Sequence, residues 1–526
     1  MPHLAQGAGL PPGAASRVSA AAPVQRAVHA QGVLGLNAPE RLLECLQPLQ
    51  VSPLTLTQVR LSKLALLLGD ALAFALAFAL ATWLTLLVHG AVLQSWLQGQ
   101  NSERFAAWGG IALLGLMLLL MSYQHYSDRR PFWDELGDFL KLMGSLALID
   151  LSLIAMTRWE ASRLWWVISW SVALVMIVLM RGVTRMVLKQ LGLWVRPTII
   201  VGVGTNASDA ALALHSQPEL GLKVFGFVDA GGCETEPAID TVPRYPRIQM
   251  EQVAAQPGIQ WVIALEHAQS DLREYWLRSL AQWGATDISV IPAMRGVPLH
   301  GTDMSHFFSH EVALLRMRNN LRRWPARLTK RIFDTLAAIA LLVLLSPIML
   351  AVAFLIRKDG GAALFAHPRV GKNGRIFNCY KFRSMVVDAE QQLERLLQAH
   401  PELSAQWKSE RKLKNDPRVS AIGHFLRRSS LDELPQLINV IRGEMSLVGP
   451  RPIVRTELKR YGHDAGYYLM VRPGMTGLWQ VSGRSDIDYD KRVYLDTWYV
   501  KNWSIWYDLV ILAKTCRVVL VRQGAY

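Results

Sequence analysis

Charge and cysteine are both scarce in this 526-residue chain. Asp, Glu, Lys and Arg make up 18% of it and apolar residues 51%. Those proportions argue against an ordinary cytosolic enzyme and against disorder over most of the length. The four cysteines, Cys45, Cys233, Cys379 and Cys516, lie far apart, with no C-x-x-C pair and no histidines at zinc spacing. They read as buried or idle thiols in a reducing compartment. Met1–Gly32 lacks the apolar core of a secretory signal. Acidic residues are the scarcer sign, 41 against 56 basic ones, for a net charge of +15.

Apolar runs and tryptophan are plentiful instead. Residues 1–55, rich in Ala, Pro and Gly, read as a disordered cytoplasmic tail. Four apolar segments follow near Leu64–His89, Ala106–Tyr123, Phe139–Met156 and Leu164–Met180. Each is close to the roughly 20 residues that span a bilayer as a helix. Arg60 and Lys63 precede the first, Arg129 and Arg130 separate the second from the third, and Arg181, Arg185 and Lys189 follow the fourth. This bias predicts a four-helix bundle over 56–190 with both ends in the cytoplasm. The 18 Trp suit a membrane interface. Asp70 and Asp150 fall inside the segments, where a charge is costly. A proton or ion site is one reading of them. The favoured one is structural, with Asp70 near enough to a helix end to reach the interface.

From 196 to 300, short apolar strands alternate with helical stretches: Thr198–Gly204, Lys223–Asp229, Trp261–Leu265 and Asp287–Ile291, with Asp271–Trp283 helical. That order predicts a small doubly wound α/β, Rossmann-like domain. Gly202-Val203-Gly204-Thr205-Asn206-Ala207 approximates a dinucleotide fingerprint, with Asp229 where a ribose-binding acid belongs. Such folds are often reused as scaffolds, and the scaffold reading is favoured.

Residues 301–330 read as a linker or amphipathic helix. A fifth apolar run, Thr335–Ile356, is long enough to cross, yet Lys330, Arg331, Arg357 and Lys358 hold both ends to one side. Ser346-Pro347 sits at its centre, where proline removes one helix hydrogen bond and crowds the carbonyl of Val343. A re-entrant membrane helix over 331–358 satisfies both facts, with the Ser346 hydroxyl as a partner for a freed carbonyl. The alternative is a kinked span.

Beyond Arg357 the chain turns polar. Its centre is the adjacent pair Asp432-Glu433, preceded by Arg427 and Arg428. Ser430 with Glu433 also fits a capping box. Paired carboxylates beside arginines suit phosphate chemistry, one attacking phosphorus while its neighbour holds Mg²⁺. Lys381 and Arg383, two apart, would share a face if extended. Arg451, Arg472 and Arg484 lie in Gly- and Pro-rich turns, where guanidinium forks match phosphate oxygens. Asp486-Ile487-Asp488 forms a short D-x-D pattern that reads as a polar loop. Asp496 and Asp508 border an aromatic stretch, Tyr494–Tyr507, whose rings suit core packing, base stacking or a lipid interface.

An ordered set of motifs carries a resemblance to a known family. It comprises Lys381–Met385, Asp416–Val419, Ser430–Leu437, Met445–Pro452 and Arg472–Gly477. Over about 330–526 the chain resembles the bacterial sugar transferase family of monotopic phosphoglycosyl transferases, and the whole looks like the family's large form. The resemblance implies a mixed α/β catalytic domain over 359–526 and a CoA-binding-like character for 196–300. It also implies transfer of hexose 1-phosphate from UDP-hexose to undecaprenyl phosphate at the cytoplasmic face of a bacterial inner membrane. This would begin exopolysaccharide, capsule or O-antigen synthesis. Asp432 would be the nucleophile forming a covalent sugar-phosphate and Glu433 the Mg²⁺ ligand. Lys381, Arg383, Arg427, Arg451, Arg472, Arg484, Asp496 and Asp508 would be substrate-site or structural residues. The expected partners are the donor, the lipid acceptor and membrane lipid, without nucleic acid; a homodimer is compatible. The ending Gly524-Ala525-Tyr526 favours glucose over galactose. Gly477-Leu478-Trp479-Gln480 departs from the family's Trp-Ala-Gln. Two other classes share the spans: a membrane-anchored nucleotide-sugar dehydratase or epimerase, whose Tyr-x-x-x-Lys pair is absent here, and a non-catalytic export scaffold.

Overall fold

The computed structural model describes residues 53–521, apart from 90–100, 158–161, 231–241, 246–249, 295–301, 307–312, 318–320, 322, 359, 400–415 and 484–487. The expected tail over 1–55 therefore falls almost wholly outside the described residues. Two compact units divide the chain at Met294/Arg295.

The first unit opens with α1 (Leu56–His89), α2 (Asn101–Met121), α3 (Phe132–Thr157) and α4 (Arg163–Gln190). All four are long and apolar enough to cross a membrane. They overrun the apolar segments at most ends, because Arg, Lys and Glu are good helix formers even where hydropathy falls. Phe74, Ala77, Trp108, Leu146 and Ile177 form part of the bundle core. Leu68, Leu72, Leu113, Leu148 and Val175 point outward and are exposed. Apolar residues on every side suit a bundle bathed in lipid.

Since α1 begins at Leu56, Asp70 lies some four turns inside it and is fully buried. Its carboxylate accepts from Arg181 Nε at 2.8 Å, from Arg181 Nη2 at 2.6 Å and from Tyr126 Oη at 2.7 Å. Asp150 is matched by Arg104, with contacts of 2.9 and 3.2 Å, and by Trp170 Nε1 at 3.0 Å. These saturated pairs support the structural reading of both acids.

The α/β part contains β1 (Arg196–Val201), α5 (Thr205–His215), β2 (Leu222–Val228), β3 (Arg244–Tyr245), β4 (Gln260–Ile263), α6 (Ser270–Gln282) and β5 (Asp287–Val290). The five strands are parallel in the order β3-β2-β1-β4-β5. The alternation is as expected, and Gly202–Gly204 forms the turn into α5. At the start of α5, where a dinucleotide phosphate sits in folds of this type, the Glu266 carboxylate accepts from Asn206 N and Thr205 Oγ1, both at 2.7 Å. The chain's own acid takes that place, in keeping with the scaffold reading.

In the second unit, β6 (Thr302–His306) and β7 (Ala313–Met317) form an antiparallel hairpin. A linker or amphipathic helix was expected there. Antiparallel strand pairing leaves no helical period to read, and the helix starts only at Trp324. That helix, α7 (Trp324–Arg357), has Pro325 in its first turn and Pro347 inside it. The Ser346 hydroxyl donates to the Val343 carbonyl at 2.8 Å, serving the acceptor that Pro347 deprives of an amide, as the sequence suggested.

Next come β8 (Leu364–Val370) and β9 (Ile376–Phe382), an antiparallel hairpin. They are followed by α8 (Ala421–Ser429), α9 (Gln436–Arg442), β10 (Ser446–Val448), β11 (Gly474–Thr476), α10 (Tyr489–Lys501) and α11 (Ile505–Val521). β10 and β11 pair in parallel. Phe377, Leu437, Val440, Leu447, Tyr499 and Trp503 share the core with Cys379. Cys379 and Cys516 are free thiols, the first buried and the second exposed.

Candidate active site

The acidic pair sits on a short 3₁₀ turn, Leu431–Glu433, between α8 and α9. Ser430 ends α8 with φ +56°, an unusual angle for a residue other than Gly, Asn or Asp. Its side chain caps nothing, so the capping-box reading does not hold. The reversal at Ser430 closes α8 and turns the next residues toward β9.

Lys381, near the end of β9, meets the pair: its Nζ lies 2.6 Å from Glu433 Oε1, both side chains being about 30% exposed. Asp432 is half-buried and makes no hydrogen bond to another side chain among the described residues. Burial pushes its carboxyl above the usual range; Lys381 and Arg427 pull against that shift, and Glu433 adds to it. Cations therefore lie near a carboxyl group that no other side chain hydrogen-bonds among the described residues.

Three contacts hold the frame. Ser420 N donates to the Ser384 carbonyl at 3.2 Å, and a Cβ on Gly423 would collide with that carbonyl. α8 can therefore lie against the end of β9 only with glycine there. Arg427 Nε donates to Ser384 Oγ at 3.0 Å, keeping this exposed arginine beside the pair. Asn439, fully buried, ties α9 to β9: its Oδ1 accepts from Tyr380 N at 3.0 Å, and its Nδ2 donates to the Asn378 carbonyl at 2.7 Å and to Glu444 at 2.6 Å. The residue before Lys381 and the helix after Glu433 thus share one amide. Asn439 lies two residues past the Ser430–Leu437 motif, and its place one turn into the helix after the acids is the signal the sequence offers for it.

Several expected substrate residues have other partners. Arg383 does not share a target with Lys381: β9 ends at Phe382, and Arg383 Nη2 donates to the Ile356 carbonyl at the end of α7, 3.1 Å away. Arg472 Nε donates to the Gly443 carbonyl at 2.7 Å, beside Arg331, whose Nη1 and Nη2 donate to the Val440 and Ile441 carbonyls at 2.6 and 2.7 Å. Two arginines thus serve the last carbonyls of α9, where Gly443 takes φ +81°. Asp508 is completely buried, bound by Lys330 Nζ and Tyr499 Oη at 2.7 Å and by Trp503 Nε1 at 3.0 Å. Asp496 is also buried, accepting from Tyr461 Oη at 2.8 Å, and burial raises its carboxyl to about 7. These contacts place Asp496 and Asp508 in the structural framework, away from an open substrate surface. Arg451 is exposed, its guanidinium 5.8 Å from the Trp479 ring centre. Arg484 lies outside the described residues, as does Asp486, while Asp488 caps α10 through Lys491 N at 2.7 Å.

No cluster of three or more metal-ligating side chains occurs among the described residues. Two adjacent carboxylates are nevertheless a fitting set for Mg²⁺, which is usually held by one or two carboxylates together with water and substrate phosphates.

Comparisons with known proteins give the family. Residues 325–522 match the sequence model of the bacterial sugar transferases, and residues 140–267 that of a CoA-binding domain. The chain is 44% identical over 466 residues to the UDP-galactose-lipid carrier transferase of Erwinia amylovora, covering 89% of this chain and 98% of the relative. The chain belongs to the bacterial sugar transferase family. This transferase is also 43% identical over 468 residues to the undecaprenyl-phosphate galactose phosphotransferase of Salmonella typhimurium, with 89% and 98% covered. It is 32% identical over 348 residues to the undecaprenyl-phosphate glucose phosphotransferase of Komagataeibacter xylinus, with 63% and 60% covered.

Proposed function

We propose that this enzyme transfers a hexose 1-phosphate from a UDP-hexose to undecaprenyl phosphate at the cytoplasmic face of the inner membrane. The observation that carries the reading is Asp432: half-buried, beside Lys381 and Arg427, and without a side-chain hydrogen-bond partner among the described residues. An Asp432 carboxylate oxygen attacks the phosphorus that bears the sugar; its bond to the UMP oxygen breaks, and UMP leaves with that electron pair. A phosphate oxygen of undecaprenyl phosphate then attacks the same phosphorus, releasing Asp432 and forming undecaprenyl-diphosphate hexose. Glu433 would hold Mg²⁺, which when bound offsets the negative charge of the donor's phosphates. Lys381 and Arg427 supply fixed positive charge to the same end.

Both ends of α7 are basic and Pro347 interrupts its middle, which supports a re-entrant path that keeps the catalytic residues on the side of the nucleotide donor. A dinucleotide-dependent dehydratase or epimerase is disfavoured by the missing Tyr-x-x-x-Lys pair, and Glu266 at the start of α5 adds to that. For the hexose, the chain's ending suggests glucose, while two of the relatives aligned over nearly their full length carry galactose in their names. UDP-galactose is therefore the first donor to assay, with UDP-glucose beside it. Full-length enzyme quenched with donor and Mg²⁺, without acceptor, should show a hexose-phosphate adduct on Asp432 by mass spectrometry. No adduct, together with unimpaired turnover in chelator, would sink the proposal.

A further inference from the structure

The hairpin of β8 and β9 has a second cationic end. Its turn carries Lys372, and there a cavity of about 320 Å³ opens between the turn, the first part of α7 and the Arg472 turn. Lys381 is five residues along β9 from Ile376, about 17 Å at the rise of a strand. The cavity is therefore separate from the acidic pair.

Its electrostatics are unbalanced. Arg327, Lys372 and Arg472 line it, together with Lys330, Arg331 and a single acid, Asp334. Asp334 is already engaged by Ser446 Oγ at 2.7 Å and Leu447 N at 3.3 Å. Lys330 is committed to Asp508 and Arg331 to α9. Arg327 and Lys372 make no side-chain hydrogen bond among the described residues, and only Nε of Arg472 does. Burial, then Arg472 and Arg327, drives the Lys372 amine below its usual pKa, as expected for a cation facing other cations. A second cavity, of about 440 Å³, shares Lys372 and Arg472 and adds Arg375 and Arg442. On the other side, Trp324 and Leu328 of α7 are 69% and 49% exposed. An indole beside cations at the end of an apolar helix is the usual composition of a membrane interface.

We infer that Arg327, Lys372 and Arg472 bind the phosphate of an anionic phospholipid whose acyl chains lie along α7, at a site separate from the reacting groups. The inference rests on α7 entering the bilayer, as proposed above, but not on Asp432 chemistry. A phosphate diester brings the missing negative charge, and guanidinium and ammonium groups together are a strong donor set for it.

The test uses full-length enzyme in nanodiscs of phosphatidylcholine with or without phosphatidylglycerol, and counts retained lipids by native mass spectrometry. Wild-type enzyme should retain phosphatidylglycerol over phosphatidylcholine. The Arg327→Gln, Lys372→Gln double variant should lose about ten-fold of that preference at an unchanged thermal midpoint. A variant that fails to fold is replaced by Lys372→Gln alone, read the same way. Equal retention by wild type and variant overturns the site. So does a raised KM for undecaprenyl phosphate with phosphatidylglycerol retention unchanged, because the cavity would then serve the acceptor. UMP release, measured in parallel, tests the catalytic proposal separately.

Discussion

The enzyme buries carboxylates in both of its units, and it treats Asp432 in the second unlike Asp70 and Asp150 in the first. Asp70 and Asp150, among apolar helices, are each met by an arginine and by a further donor from an aromatic residue. Asp432 is less buried, yet no side chain is hydrogen-bonded to it among the described residues. Removing a carboxylate from water is unfavourable in both places. In the bundle that penalty is offset by internal partners; at Asp432 it leaves a group ready for a ligand. Depth alone does not separate these acids, whereas the inventory of their partners does.

Replacement is the sharpest way to break the contrast. Asp432→Asn should lower UMP release by about 10³-fold or more while leaving the thermal midpoint within a degree or so. Asp70→Ala should do the reverse, lowering stability by about 3 kcal/mol by leaving buried Arg181 with Glu135 alone of its two carboxylates, while turnover per folded molecule survives. Exchange of those two outcomes would overturn the assignment of both acids.

A smaller effect concerns pH. Burial raises the Asp432 carboxyl, and Lys381 opposes that shift. The nucleophile must be ionised, so activity falls as pH drops through its pKa. Lys381→Met should move the acid limb of the UMP-release profile to higher pH; a limb that stays in place would mean that Lys381 does not act on Asp432.

The smallest effect belongs to Asp496. Its folded pKa of about 7 lies above the ordinary 3.8, so the folded state holds that proton more tightly. The resulting stabilisation is complete below about pH 3.8 and is lost as pH rises through about 7. Between pH 5 and 8 the thermal midpoint of wild type should therefore fall relative to that of Asp496→Asn. Parallel curves would show that Asp496 is charged in the folded state.

Much of this architecture is legible in the residues themselves. The apolar runs mark the four spans, the strand–helix alternation announces the parallel sheet, and Ser346-Pro347 points to the carbonyl that needs a new donor. Less legible are features that depend on distant backbone. Arg383 looks like a phosphate ligand because arginines beside acids often are, but a carbonyl at a helix end attracts the same donor and leaves no mark in composition. The β6–β7 hairpin is hidden for a similar reason, since its strands are defined by each other. Asn439 is easily read as one polar position on a short helix until the fold brings three partners to its amide.

Arg331 has a consequence for how the enzyme responds to its surroundings. It sits in the first turns of the long apolar helix and grips the far end of the segment that starts just after the acidic pair. On the re-entrant path proposed for α7, that grip ties the segment after the acidic pair to a helix seated in lipid, so the two would shift together.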